Sequence, residues 1–380
     1  TYIVVGYGGF SGGKECDGGV AAFRARDGRA RWVFSLKKWA DKKKFSPLFH
    51  SVYGTPQLAD IDNDGRLEVG FGSLDRHIYL LNADGSVRWW AVAGDTVFSS
   101  PAFVDVTGDG KKEMIISTDI SQNNVIRPVT PNGGYVYALN ASVRVPKETK
   151  FNFRDSRLQV WRTEFDQVMQ APPVAGDVMR SNRGVEIVVG SGCYFPEGEG
   201  DRRGKWFKVL SGKTGEVLRT LKTTACTPTS PALADLDGDG LLDVIGTVSG
   251  SASAGGDGTG HLIAWSGRKG SVLFDVNPVS GTKRDSQVGH HNRTPVVRDL
   301  TGDGIPEILI TYSSDVVVFN AKGKQLTCDS DFCAKPLLRG GARQFGFVAV
   351  SDTDRDGVLE ILTLGSYLHH SSLLKWINPF

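Results

Sequence analysis

The chain has 380 residues, 40% hydrophobic and 23% charged, with 44 Lys and Arg against 42 Asp and Glu for a net charge of +2. That apolar share supports a buried core and excludes a disordered chain, and no apolar run approaches the ~18 residues of a membrane-spanning helix. The 47 glycines follow no three-residue period, which excludes collagen and points instead to many turns and many short strands.

The first predicted elements are a strand at Tyr2–Gly6, a strand running into a turn at Gly19–Gly28, and a strand at Ala30–Phe34. Six segments with one layout follow: Thr55–Gly65, Ser100–Gly110, Ala171–Asp177, Ser230–Gly240, Thr294–Gly304 and Phe345–Gly357, with the first acid at 60, 105, 177, 235, 299 and 352. After each acidic stretch comes an apolar strand, as in Leu67–Gly72 and Glu307–Ile310. Then a strand runs into a Gly- or Asn-bearing turn, as in Ile78–Gly85, and a last strand often carries Trp, as in Val87–Trp90. Gly or Asn accepts the positive φ of a tight hairpin. One unit therefore reads as four antiparallel strands of about five residues.

Four-stranded units repeated at this spacing and closed radially are propeller blades, whereas a stacked solenoid would need polar caps at open ends. The expectation is an all-β, seven-bladed β-propeller of four-stranded antiparallel blades, forming one domain over 1–380. The blades fall at about 1–49, 50–94, 95–166, 167–223, 224–286, 287–341 and 342–380. The first and last are partial, so closure joins them or the chain continues beyond this sequence.

The acidic segments carry the chemistry. In Asp60-x-Asp62-x-Asp64-Gly65-x-x-Glu68, acids at positions 1, 3 and 5 turn oxygens inward, Gly allows the bend, and the ninth residue closes the cage. Such hard oxygen sets suit Ca2+. The same spacing places Asp235, Asp237, Asp239 and Asp243 together, and likewise Asp352, Asp354, Asp356 and Glu360. With Thr third, it recurs as Asp105, Thr107, Asp109, Glu113 and as Asp299, Thr301, Asp303, Glu307. The unit at Asp177 lacks the middle acids, and no metal is expected there. About five structural Ca2+ ions follow, raising the net charge and favouring an anionic partner.

This acidic repeat resembles FG-GAP/VCBS-type β-propeller repeats, as in integrin α-chain heads, across essentially the whole chain. The Asp-Gly turn with Trp four residues on (Gly28 to Trp32, Gly85 to Trp89) is also similar to quinoprotein-type blades. The resemblance implies Ca2+-stabilised loops on a secreted propeller with a binding role.

Five cysteines give two candidate disulfides, Cys193 with Cys226 and Cys328 with Cys333, leaving Cys16; small buried thiols are the alternative. No catalytic residues are assigned. His290, His291 and Arg293 form the one local cluster that would suit a ligand loop. The expected function is a calcium-stabilised binding, adhesion or scaffold module for a protein or glycan, placed extracellularly, at the cell surface or in the periplasm, within a larger chain or assembly. The alternative is a carbohydrate-active enzyme of the polysaccharide lyase kind. No specific nucleic-acid partner and no transmembrane segment are expected.

Overall fold

The computed structural model describes residues 1–380 except 10–16, 47–48, 121–132, 153, 181–183, 193–203, 249–259, 279–293, 313–314, 327–337, 340–347, 368–369 and 378–380. The chain divides into two compact units. One comprises Thr1–Ala175, Arg183–Ile187 and Leu210–Val217, the other Gly176–Asn182, Val188–Val209 and Leu218–Phe380.

In the first unit, β1 (Tyr2–Tyr7), β2 (Gly19–Arg24) and β3 (Ala30–Ser35) make a three-stranded antiparallel sheet. Helix α1 (Leu36–Lys43) leads to a second sheet of β4 (Gln57–Ala59), β5 (Glu68–Gly72), β6 (His77–Leu81) and β7 (Val87–Val92). The third contains β8 (Ala102–Val104), β9 (Glu113–Ile120), β10 (Gly133–Asn140) and, after the short β11 (Thr149–Phe151), β12 (Gln159–Phe165). Strand β11 joins the second sheet instead, lying parallel against β7 with Lys150 opposite Trp90.

Further sheets run in chain order. They are β13 (Val174–Gly176), β14 (Glu186–Gly190), β15 (Trp206–Ser211) and β16 (Val217–Lys222); then β17 (Ala232–Ala234), β18 (Asp243–Val248), β19 (His261–Trp265) and β20 (Val272–Val276). Next come β21 (Val296–Arg298), β22 (Glu307–Tyr312), β23 (Asp315–Phe319) and β24 (Leu338–Arg339), and last the three strands β25 (Val348–Ser351), β26 (Glu360–Tyr367) and β27 (His370–Ile377). Among the described residues the chain is thus nearly all β, in antiparallel sheets of mostly four strands.

The helix was not expected. Ser35 caps it, its Oγ accepting from the Lys38 N–H at 3.1 Å, and Lys44 at φ 58 closes the other end. Leu36, Trp39 and Ala40 provide the buried stripe at i, i+3 and i+4.

The two middle strands of a sheet are buried on both faces, which explains their unbroken apolar runs. Successive residues feed different cores. Ile78, Leu80 and Trp89 pack with Met114, Ile116 and Tyr137 of the third sheet, while Tyr79, Leu81 and Trp90 pack with Val20 and Phe34 of the first. In the second unit Ile308, Ile310 and Val317 pack with Ile245 and Leu262, and Leu309 and Val318 pack with Ile361.

A last-strand tryptophan clamps each of the first three sheets to the next. Trp32 Nε1 donates to Ala83 O at 3.1 Å, Trp89 Nε1 to Ala141 O at 3.3 Å, and Trp161 Nε1 to Gly212 O at 2.6 Å. The turn must come close: Gly85 sits at φ +82, and a Cβ there would lie 2.6 Å from the Trp32 ring. In the second unit Arg219 takes the donor role, bonding the Gly267 and Arg268 carbonyls, and Phe274 packs under Gly323.

Trp89 is fully buried at 0% exposure and makes one of these clamps. Trp89→Ala is predicted to destabilise the protein by about 3–5 kcal/mol, read from the urea unfolding midpoint; a loss below ~1 kcal/mol would show that the clamp contributes little.

Candidate metal centres

The acidic segments fold as one loop between the first and second strands of a sheet. Position 4 is left-handed in all five, at Asn63 (φ 61), Gly108 (78), Gly238 (73), Gly302 (76) and Arg355 (66). Position 6 is Gly in every case, also at positive φ. The backbone N–H groups this exposes are gathered by the first acid. Asp105 Oδ1 accepts from Gly108 and Asp109 at 2.6 and 3.2 Å and its Oδ2 from Gly110 at 2.8 Å. Asp60, Asp235, Asp299 and Asp352 repeat the pattern. The Gly304 and Gly302 N–H groups hold the Asp299 carboxyl below its usual range; at Asp105 burial pushes upward, but the Gly110 and Gly108 N–H groups outweigh it.

The last acid of each loop is buried at the start of the second strand, with Glu68, Glu113, Asp243, Glu307 and Glu360 all at 4% exposure or less. It accepts the N–H of position 2, from Ile61, Val106, Leu236, Leu300 and Thr353 respectively. Burial raises the carboxyl pKa of Glu68, Glu113, Asp243 and Glu307, with the neighbouring loop acids adding to it.

The segment at Asp177 keeps only the outer acids. It lacks the middle carboxylates, yet Asp177 Oδ1 still accepts from the Arg180 N–H at 3.0 Å and Glu186 is still buried. In the five loops the first and last acids organise the turn, and the fifth-position acid also serves it, its Oδ1 accepting the N–H of position 7 from Arg66, Lys111, Leu241, Ile305 and Val358 respectively.

Three sets of carboxylate oxygens converge within 4.8 Å: Asp352, Asp354, Asp356 and Glu360; Asp60, Asp62 and Glu68; and Asp235, Asp237 and Asp239. Asp64 and Asp243 stand outside these sets, Asp243 spending its oxygens on the Leu236 and Gly267 N–H groups. The two loops with Thr third form no such group among the described residues. There Thr107 and Thr301 turn back on Asp105 and Asp299, each at 3.5 Å. Guanidinium groups reach two of the three sets: Arg88 Nη1 lies 2.7 Å from Asp62 Oδ2, and Arg268 Nε 2.6 Å from Asp239 Oδ2. At the third, Glu360 Oε1 is buried with no hydrogen-bond partner. An acceptor in that state fits a cation, and the donor set is all hard oxygen.

Other expected residues lie elsewhere. Cys226 is buried. Its expected partner Cys193 lies outside the described residues, as do Cys328, Cys333, Cys16, His290, His291 and Arg293.

One cluster escaped the sequence reading. Asp119, near the end of β9, is buried and takes an amide N–H of Gln170 at 3.4 Å, while its Oδ1 has no partner. Desolvation, with the charge of Asp95 adding, pushes its pKa to about 8; Asp95 itself is paired with Arg76 at 3.0 Å. The only sequence signal was an acid three residues beyond the apolar stretch Met114–Ile116. In the unfolded chain the same carboxyl titrates near 3.9. Between these values the folded state keeps a proton that the unfolded state has lost, so stability falls as pH rises and levels off above about 8. Asp119→Asn is predicted to remove about 1.4 kcal/mol per pH unit of that slope, measured by urea unfolding at stepped pH. Parallel profiles for variant and wild type would refute the assignment.

No protein-family model and no curated protein sequence matches the chain. Among solved structures it is similar to the Dos1 propeller, at 12% identity and a TM-score of 0.54 over 96% of this chain and 76% of that one. BamB from Moraxella catarrhalis aligns at 14% identity and a TM-score of 0.49, over 93% and 80% of the two chains. The rhamnogalacturonan lyase YesW aligns at 16% and 0.44, over 100% and 63%. The likeness to the Dos1 propeller gives the fold, a β-propeller, and nothing about activity. Among the described residues no helix is long and apolar enough to cross a membrane.

Proposed function

We propose that the chain is a calcium-stabilised, seven-bladed β-propeller of the FG-GAP/VCBS kind, serving outside the cytoplasm as a binding, adhesion or scaffold module for a protein or glycan. One observation carries the reading: five loops share a backbone with two left-handed positions and a buried closing acid, and three of them bring carboxylate oxygens within 4.8 Å of one another.

Asp352, Asp354, Asp356 and Glu360 are the best-fitted holders of an ion, with the orphaned Glu360 Oε1 as the buried donor. Asp60, Asp62, Asp64 and Glu68, and Asp235, Asp237, Asp239 and Asp243, come next. Asp105, Thr107, Asp109 and Glu113, and Asp299, Thr301, Asp303 and Glu307, complete the five. Ca2+ at such a loop supplies charge neutralisation and oxygen bridging across the first hairpin of a sheet. The chain's own part is to fix the first acid by N–H bonds and bury the last, so that the middle carboxylates swing little on binding.

Removal of calcium by EGTA is predicted to lower the melting midpoint by about 5 °C or more, and readdition to restore it; an unmoved midpoint overturns the reading. Asp354→Asn with Asp356→Asn is predicted to abolish binding at one site, measured with radiolabelled calcium in equilibrium dialysis. Unchanged stoichiometry would remove that loop from the set.

A further inference from the structure

Two insertions that the repeat does not contain meet at the β7 edge of the second sheet. One is α1, which carries Lys37, Lys38, Lys42 and Lys43 and ends at Lys44. The other is the excursion between β10 and β12, which carries Arg144, Lys147 and Lys150. Both are pinned. Trp39 of the helix packs edge-on against Trp90 of β7 at 5.6 Å. The excursion is held by the Glu148 N–H, which donates to Val87 O at 3.2 Å, by Trp90 Nε1, which donates to Glu148 O at 3.3 Å, and by the pairing of β11 with β7.

The lysines ride on this indole pair. Lys42 and Lys43 lie 5.3 and 4.9 Å from the Trp39 ring centroid, and Lys150 lies 4.6 Å from that of Trp90. Glu148 links the insertions, accepting from Lys42 at 2.5 Å and Lys43 at 2.9 Å. Lys37, Lys38, Lys44, Arg144, Lys147 and Lys150 are exposed. Over residues 36–45 and 143–151, eight cations face two acids, Asp41 and Glu148, a surplus of six on a chain whose whole net charge is +2.

We propose that this lysine platform is a binding surface for an anionic polysaccharide, one bearing carboxylate or sulfate groups along its length. The proposal rests on the binding-module reading and names its ligand class. Charge complementarity calls for a polyanion. Seven of the eight cations are lysines, point charges that match strings of separate anions without the planar fork that arginine brings to phosphate. The indoles lie beneath the lysines, at 6% and 2% exposure for Trp39 and Trp90. They offer no open face on which nucleic-acid bases stack.

The test uses the full chain in calcium with heparin as probe, by fluorescence polarisation at stepped salt. Lys37→Glu with Lys38→Glu and Lys44→Glu is expected to weaken binding about tenfold or more and to flatten its salt dependence. Lys213→Glu with Lys222→Glu and Lys322→Glu, of equal net charge, is expected to change it less than about twofold. Melting midpoints within about 2 °C of wild type establish that both variants fold. Equal weakening by both variants, or no heparin binding at ~50 mM salt, overturns the proposal. So does oligodeoxythymidylate of matched charge binding as tightly as heparin. Each of these failures leaves the calcium-dependent melting of the module untouched, and that measurement alone decides the broader reading.

Discussion

Burial of the middle strands on both faces is the constraint from which the rest of the structure follows. A strand such as β6 sends Ile78 and Leu80 into one core and Tyr79 and Leu81 into another. Neither face of β6 tolerates water, so the second sheet needs a neighbour on each side. The indole N–H bonds from β3, β7 and β12 to the turns of the following sheets set how those neighbours stand. With sheets so fixed, the loop between first and second strands recurs in the same place, and its closing acid is drawn into the core at the start of the second strand.

That buried acid explains why the loops are legible in sequence. Asp at position 1, Gly at position 6 and an acid at position 9 are each demanded by local hydrogen bonds, so their spacing survives from loop to loop. The strands were equally plain, because short unbroken apolar runs bounded by Gly-bearing turns read as buried strands. What the sequence hid was non-local. The helix α1 begins directly where β3 ends and is too short and lysine-rich to stand out. Strand β11 is defined only by its partner β7. The Asp119 cluster joins residues from separate sheets and their connections, and the approach of Arg88 to Asp62 and of Arg268 to Asp239 depends on where a later strand and turn bring them.

The charges divide in a way that the near-zero net figure conceals. The acids are gathered in the interstrand loops, where N–H groups and in two cases a guanidinium answer them. The lysines of α1 and the 143–151 excursion are answered by Glu148 and Asp41, and at Lys147 by Asp84, fewer acids than cations. A chain with balanced totals therefore carries strongly unbalanced regions, and at physiological salt, where screening acts over about 8 Å, a partner senses the region and not the total.

Antiparallel order within each sheet has one more effect. Connections from first to second strand and from third to fourth leave a sheet at the same edge, so the carboxylate loops and the indole-clamped turns share that edge. Second-to-third connections leave from the opposite edge, and there the chain spends residues freely: 121–132 between β9 and β10, 191–205 between β14 and β15, 249–260 between β18 and β19. The side that carries the carboxylate loops is not closed to insertion either: 141–158 between β10 and β12 and 320–337 between β23 and β24 leave from it, so chain is added at both margins of the sheets.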